Sequence, residues 1–357
     1  MLRRLLLILA GVLVATLVAE FALRWVVTVP EVSNPLYSFH DSDPVLGWRG
    51  KADVRMRFRR PDFDALIEHG PDGWRVPDPP PPTDATWRVL FLGDSYTWGW
   101  GVSQGEVFTD RLQRRLAPSI AIYNRGVNAF GTGQEYLLMQ RELAAQKYDA
   151  VALMFFQNDV LDNVGGRDGR RPLFVLEGDT LVPRNQPALP LTNPVHRFLK
   201  DHSQAFLLVD FELSQLKPSD DDAREKAFET SPTDVDYHEL PGAAVTMRLL
   251  TEMNKLAAAH GARFVLVYLP QSSEADHPAS PFPYIRAVHA MIRDVAAADG
   301  IPLVDLSGPF REQTQRGRTL FFPHDAHWTP DGHEMAAEVL STSPIVPSPP
   351  AGGTAAQ

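Results

Sequence analysis

Two short stretches of this sequence carry side chains suited to acyl transfer. One is the serine of G-D-S-Y at residues 93–96, and the other is the pair Asp325 and His327 within H-D-A-H-W at residues 324–328. A serine hydroxyl is a poor nucleophile until a base takes its proton. His327 is the candidate base and Asp325 the candidate acid that orients it. In an extended segment residues i and i+2 point to the same side, so Asp325 can accept the ring N–H of His327. That fixes the tautomer whose other nitrogen can receive the proton of Ser95. Taken alone, each stretch has a plainer reading: Ser95 as a helix cap, and residues 324–328 as a surface loop before a helix opened by Thr329 and Pro330. Two further blocks supply groups that could hold a developing oxyanion. The side-chain amide of Asn158, in F-Q-N-D at residues 156–159, can donate without carrying charge, or it forms a turn with Asp159. Residues 123–133, Y-N-R-G-V-N-A-F-G-T-G, have the glycines of a tight loop with free backbone amides.

These groups must be brought together by the elements between them. Residues 89–92 are a continuous apolar run bounded by Gly93, the pattern of a strand buried on both faces. Similar runs at 120–123, 149–156, 263–270 and 302–306 predict four more strands. Helical spacing predicts helices at 108–116, 134–146, 245–260, 284–298 and 333–340. Strands separated by helices of this length imply right-handed crossovers, hence a parallel five-stranded sheet with helices on both faces, a three-layer α/β domain. Ser95 and Asn158 then follow strand ends at the carboxyl edge of the sheet, where open α/β folds bind ligands.

The expected organisation is a segment 1–27, a collar and Pro-rich linker at 28–86, the α/β domain at 87–342, and a low-complexity tail at 343–357 that should be disordered. The collar shows one short strand-like patch at 54–58, and V-P-D-P-P-P-P-T-D at 76–84 reads as a stiff extended spacer. An insertion at about 164–241, rich in proline and with an acidic run at 219–225, is expected to form part of the substrate wall or a lid, or else to be a solvated decoration.

The chain contains no cysteine, which removes a thiolate nucleophile, a disulfide framework and Cys-ligated metals. Its 44 acidic against 34 basic residues give a formal charge of -10 with no basic block among aromatics, so nucleic acid is not an expected partner. Arg3 and Arg4 precede an uncharged run at 5–19, like the start of an export signal. Fifteen residues span only about 22 Å as a helix, against about 30 Å of hydrocarbon. The apolar character continues to Val27 past Glu20 and Arg24, which could pair at i,i+4. The expectation is an uncleaved N-terminal transmembrane helix with the body exported to the periplasmic or extracellular side, the alternative being a signal cleaved near residue 19.

The four blocks, in this order over about residues 89–340, resemble the SGNH (GDSL) hydrolase family, in a membrane-anchored bacterial form with a D-x-H-W final block. The resemblance implies a flavodoxin-like three-layer fold, no metal cofactor, and a serine esterase. Ser95 would be the nucleophile, His327 the base and Asp325 its acid, with the amides of Ser95 and Ala129 and the side chain of Asn158 as oxyanion donors. Ala129 stands where the family usually has glycine, so a left-handed conformation there would strain it. The final block also departs from the commoner D-x-x-H spacing and puts His324 three residues before the base. His324 and His333 are read as loop and helix-start residues, and a metal site made of them with Asp325 and His327 as a remote alternative. The expected substrate is a carboxylic ester, of an acetylated carbohydrate or a lipid. The alternatives are an O-acetyltransferase acting on an exported polysaccharide, and a catalytically silent carbohydrate-binding or assembly protein.

Overall fold

The computed structural model describes residues 2–26, 32, 34–165, 169–216, 235–277 and 281–347. In chain order the elements are α1 (Leu2–Val26), α2 (Pro35–Phe39), β1 (His40–Asp43), β2 (Gly47–Gly50), β3 (Arg55–Arg60), β4 (Phe63–Glu68), β5 (Trp87–Gly93) and α3 (Ser95–Trp98). Then come α4 (Phe108–Leu116), β6 (Ile120–Asn124), α5 (Thr132–Ala145), β7 (Ala150–Phe155), α6 (Asp159–Asp162), β8 (Leu173–Glu177), β9 (Thr180–Arg184), α7 (Pro194–His202) and α8 (Gln204–Leu216). The chain finishes with α9 (Ala243–Ala259), β10 (Arg263–Tyr268), α10 (Ser272–Asp276), α11 (Pro283–Ala298), β11 (Leu303–Asp305), α12 (Ser307–Gln315) and α13 (Pro330–Leu340).

Five strands form one sheet in the order β11-β10-β7-β5-β6, with every neighbouring pair parallel. This is the doubly wound order in which the first two strands of the domain exchange places, and the exchange leaves a crevice at the carboxyl ends of β5 and β7. Alternate residues of each strand enter different cores. Val89 and Phe91 lie with Phe108 and Leu112 of α4 and Ala336 and Leu340 of α13. Leu90 and Leu92 lie with Leu138 of α5, Leu250 of α9 and Ile292 of α11. Both faces of the sheet are thus dry, which is why its strands read as unbroken apolar runs.

The segment ahead of the sheet is packed into the same cores. Phe39, Phe58, Phe63 and Ile67 join the α4 side, and Leu46 and Trp48 join the α5 side. The β3–β4 turn sits against the loop before α13 through Asp62, and β2 reaches the loop after β6 through Trp48. In the insertion, β8 and β9 form a hairpin followed by α7 and α8. The acidic run at 219–225 lies outside the described residues, as does the tail from residue 348 onward.

The N-terminus requires a correction. Among the described residues no helix is long and apolar enough to cross a membrane, so neither the expected transmembrane anchor nor the export and tethering built on it is supported. Glu20 interrupts the apolar run after its fifteen uncharged residues. Its carboxylate accepts hydrogen bonds from Ser203 Oγ (3.0 Å), Gln204 N (2.6 Å) and Ala205 N (3.1 Å), at the start of α8. A carboxylate spent on the cap of another helix closes the uncharged run at residue 19. What stays uncharged is the fifteen-residue stretch, about 22 Å of helix and too short for the bilayer.

Candidate active site

Ser95 stands at the first position of α3, directly after β5. Asp94 caps that helix, its Oδ1 accepting from Tyr96 N at 2.9 Å. The bend from strand to helix is sharp, and Gly93 makes it at φ +154°, where a Cβ would lie 2.1 Å from Thr97 Oγ1 and 3.0 Å from Met154 Cβ. Only glycine fits there. Ser95 itself contributes nothing to the cap, so its hydroxyl is free for other work.

That hydroxyl lies 2.7 Å from His327 Nε2. On the far side of the ring, His327 Nδ1 lies 2.5 Å from Asp325 Oδ1, which also accepts from His327 N at 3.1 Å. Asp325 Oδ2 accepts from Trp100 Nε1 at 2.7 Å. Burial raises the carboxyl pKa, but the hydrogen bonds and charge of His327 and the indole of Trp100 outweigh it and hold Asp325 below the ordinary carboxylate range. An ionised Asp325 can only accept, so Nδ1 carries the proton and Nε2 is left to accept from Ser95.

The imidazole is held between two aromatic rings. Trp100 stacks on it at 5.0 Å and 19°, and Tyr96 lies 4.7 Å away on a 34° tilt, its hydroxyl donating to Ala326 O at 2.9 Å. Neither residue was picked out from the sequence, although both belong to the same G-D-S-Y-T-W-G-W stretch as Ser95. The loop bearing His327 is clamped from outside by Asp62 in the β3–β4 turn. Its oxygens lie 2.7 Å from His324 N and 2.6 Å from His324 Nδ1. His324 is thus a clamp on the loop surface. His333 is fully buried against Phe108, and its Nδ1 accepts from Phe108 N at 3.3 Å. No hydrogen bond brings either histidine to Ser95.

The remaining two sequence candidates lie on loops beside β5. Asn158 occupies the N-cap position of α6 yet makes no capping hydrogen bond, and its Oδ1 is buried without a partner among the described residues. An asparagine at a cap position normally caps; this one is left unused by the helix. Ala129 has φ +59°, the left-handed region in which an alanine is strained by roughly 1–2 kcal/mol. The loop around it is nonetheless fixed: Val127 N donates to Gly93 O at 3.0 Å, and Trp48 Nε1 donates to Asn128 O at 2.9 Å.

Under this rim lies a cluster of buried acids, Asp94, Glu135, Asp159 and Asp162. Burial, with the mutual charge of the cluster, pushes Glu135 and Asp159 well above the ordinary range. Burial also pushes Asp94 up, to about 6, against the opposing hydrogen bond from Tyr96 N. Asp94 therefore binds its proton more tightly folded than unfolded. Its burial costs nothing below about pH 4, and the cost grows as pH rises through 6. Asp94→Asn keeps the acceptor for Tyr96 N and removes the charge. It is expected to be on the order of 2 kcal/mol more stable than wild type at pH 8 and equal to it at pH 4, measured by urea unfolding at both pH values. Equal stability at pH 8 would refute this.

The chain is similar to known proteins to differing degrees. A lipolytic protein of the G-D-S-L family from Veillonella parvula is 12% identical, over 71% of this chain and 96% of that one, with a TM-score of 0.41. A putative lipolytic protein of the G-D-S-L family from Desulfitobacterium hafniense is 12% identical over 72% and 99%, with a TM-score of 0.42. A probable alginate O-acetylase AlgJ of Pseudomonas fluorescens is 47% identical over 45 residues, so the match spans only 13% of this chain and 11% of that relative's length. The model of the GDSL-like lipase/acylhydrolase family matches residues 91–335, from within β5 to within α13. Since that match takes in more than half of the sequence, the chain belongs to the GDSL-like lipase/acylhydrolase family.

Proposed function

We propose that this protein hydrolyses carboxylic esters in two acyl-transfer steps at Ser95. His327 Nε2 takes the hydroxyl proton as Ser95 Oγ bonds to the ester carbonyl carbon. The negative charge on the carbonyl oxygen is met by the amides of Ser95 and Ala129 and by Asn158. The ester C–O bond breaks as His327 returns the proton to the departing alkoxide. Water then gives its proton to His327 and attacks the acyl-enzyme, releasing the carboxylic acid and restoring Ser95. The observation that carries this reading is the unbroken chain from Ser95 Oγ through both nitrogens of His327 to Asp325, at 2.7 and 2.5 Å.

A fluorophosphonate probe tests it directly, because such probes react only with an activated serine. We expect one adduct per chain, on the peptide that carries Ser95. Absence of labelling in folded protein would instead favour a silent binding protein.

A second reading is acetyl transfer to a carbohydrate hydroxyl in place of water. The short match to a probable alginate O-acetylase favours it. Presenting an acetyl ester together with an oligosaccharide acceptor separates the two. A transferase yields acetylated oligosaccharide at the expense of free acetate, whereas a hydrolase yields acetate alone.

A further inference from the structure

Arg171, in the insertion just ahead of β8, lies fully buried beneath the active-site rim. Its Nη2 donates to Ala129 O at 2.8 Å, on the loop after β6. Its Nη1 donates to Asp162 O at 2.8 Å and pairs with the Asp162 carboxylate, at the end of the short helix that Asn158 begins. One guanidinium therefore ties together the two loops that carry the proposed oxyanion donors. The segment bearing Arg171 is seated in turn against the β1–β2 turn. Gly47, at φ +84°, comes so close to it that a Cβ would stand 2.4 Å from Arg170 O.

The need for such a tie follows from Ala129. Alanine does not hold φ +59° of its own accord. If the peptide relaxed to the ordinary right-handed or extended region, the direction of its amide would change with it. Trp48 fixes the carbonyl before this residue and Arg171 the carbonyl of the residue itself, so the strained conformation is held from both ends. A planar guanidinium with parallel N–H bonds can grip two carbonyls in different loops at once, which a lysine ammonium on a flexible stem does poorly. Arg171 also brings a positive charge to the buried acids, pairing with Asp162 and opposing the rise of Glu135.

We propose that Arg171 is a positioning residue for the oxyanion hole, holding Ala129 in its left-handed conformation and in fixed register with the loop of Asn158. The proposal rests on the acyl-transfer reading above. It assigns to the insertion a role in setting the turnover rate, apart from any part it has in forming a substrate wall.

The test is Arg171→Lys, which keeps a positive charge among the acids, assayed on p-nitrophenyl acetate. An oxyanion donor acts on the transition state more than on bound ester. The expected result is a fall in kcat of about tenfold or more with KM changed by no more than about twofold. Adding Ala129→Gly in the same chain should recover several-fold of that loss, because glycine takes φ +59° without help. A purely structural role would not give this recovery.

Turnover is counted per competent site, by titration with the fluorophosphonate. Wild-type kcat per site in Arg171→Lys would overturn the proposal, and so would a loss that Ala129→Gly leaves untouched. Should the lysine variant fail to fold, Asp162→Asn keeps the shape of the same bridge while weakening its charge. A kcat fall of several-fold is expected there, and an unchanged kcat would likewise overturn the proposal. Ser95→Ala is run alongside. If it keeps full turnover, the acyl-transfer reading itself fails and this proposal with it. If it is inactive while Arg171→Lys turns over normally, only the role of Arg171 is lost.

Discussion

Ser95→Ala is expected to lower kcat on p-nitrophenyl acetate by about 10⁴-fold or more while leaving the melting temperature within about 2 °C of wild type. The two halves of this expectation have separate grounds. The activity should fall because the Ser95 hydroxyl is the proposed nucleophile and, among the described residues, the hydroxyl in hydrogen-bond contact with His327 Nε2. The stability holds because Ser95 does none of the work of the turn it occupies. Asp94 caps α3, Gly93 makes the bend, and Gly99 at φ +90° closes the helix. Alanine at the first helical position keeps the backbone amide proposed as one oxyanion donor, so some rate above background should persist. Circular dichroism and thermal unfolding check the fold, and burst kinetics with an active-site titrant check the chemistry. A folded variant with wild-type turnover would reject Ser95 as nucleophile.

The sheet was legible because it is buried on both faces. Each core strand is dominated by an apolar run, and the five predicted runs coincide with β5, β6, β7, β10 and β11 to within two residues at either end. The helices α4, α5, α9, α11 and α13 follow their apolar spacing almost as closely. Less legible were short elements whose stability comes from partners far away in sequence. The hairpin β3–β4, given only as a strand-like patch, is half exposed on one face and gains its burial from Phe58 and Phe63 against aromatic residues of the catalytic rim. The helix α12 has a weak apolar pattern and is fixed by Phe310 beneath Trp328.

The same distinction applies to the site. Ser95, Asp325, His327 and Asn158 stand at strand ends or in a two-residue spacing, which a linear sequence can reveal. Trp100, Tyr96, Asp62, Trp48 and Arg171 act through contacts made only in the folded chain, and nothing in their own local sequence announces them. The N-terminal helix failed for a related reason. Nothing in the local sequence announces that Glu20 engages the start of α8, almost two hundred residues away.

Asp325→Asn is the sharper test of the proton path, because it changes one atom's chemistry and almost no volume. Asp325 is approached by three donors: His327 Nδ1 and His327 N on one oxygen, and Trp100 Nε1 on the other. A carboxylate satisfies all three. An asparagine has one accepting oxygen and one donating NH₂, so it must leave one side opposed, donor to donor. If the NH₂ faces His327, the ring must accept at Nδ1 and carry its proton on Nε2, the tautomer that cannot take the proton of Ser95. The expected loss in kcat is then about 10³- to 10⁴-fold with little change in KM. If the NH₂ faces the indole, the N–H of Trp100 loses its acceptor and the loop is destabilised instead. Trp100→Phe in the Asp325→Asn background decides between them. It removes the competing donor while keeping a ring over His327, so the amide can turn its oxygen back to Nδ1, and part of the lost kcat should return. Near-wild-type turnover in Asp325→Asn alone would mean that this carboxylate does not set the tautomer of His327, and a different acid would then have to be sought on the same rim.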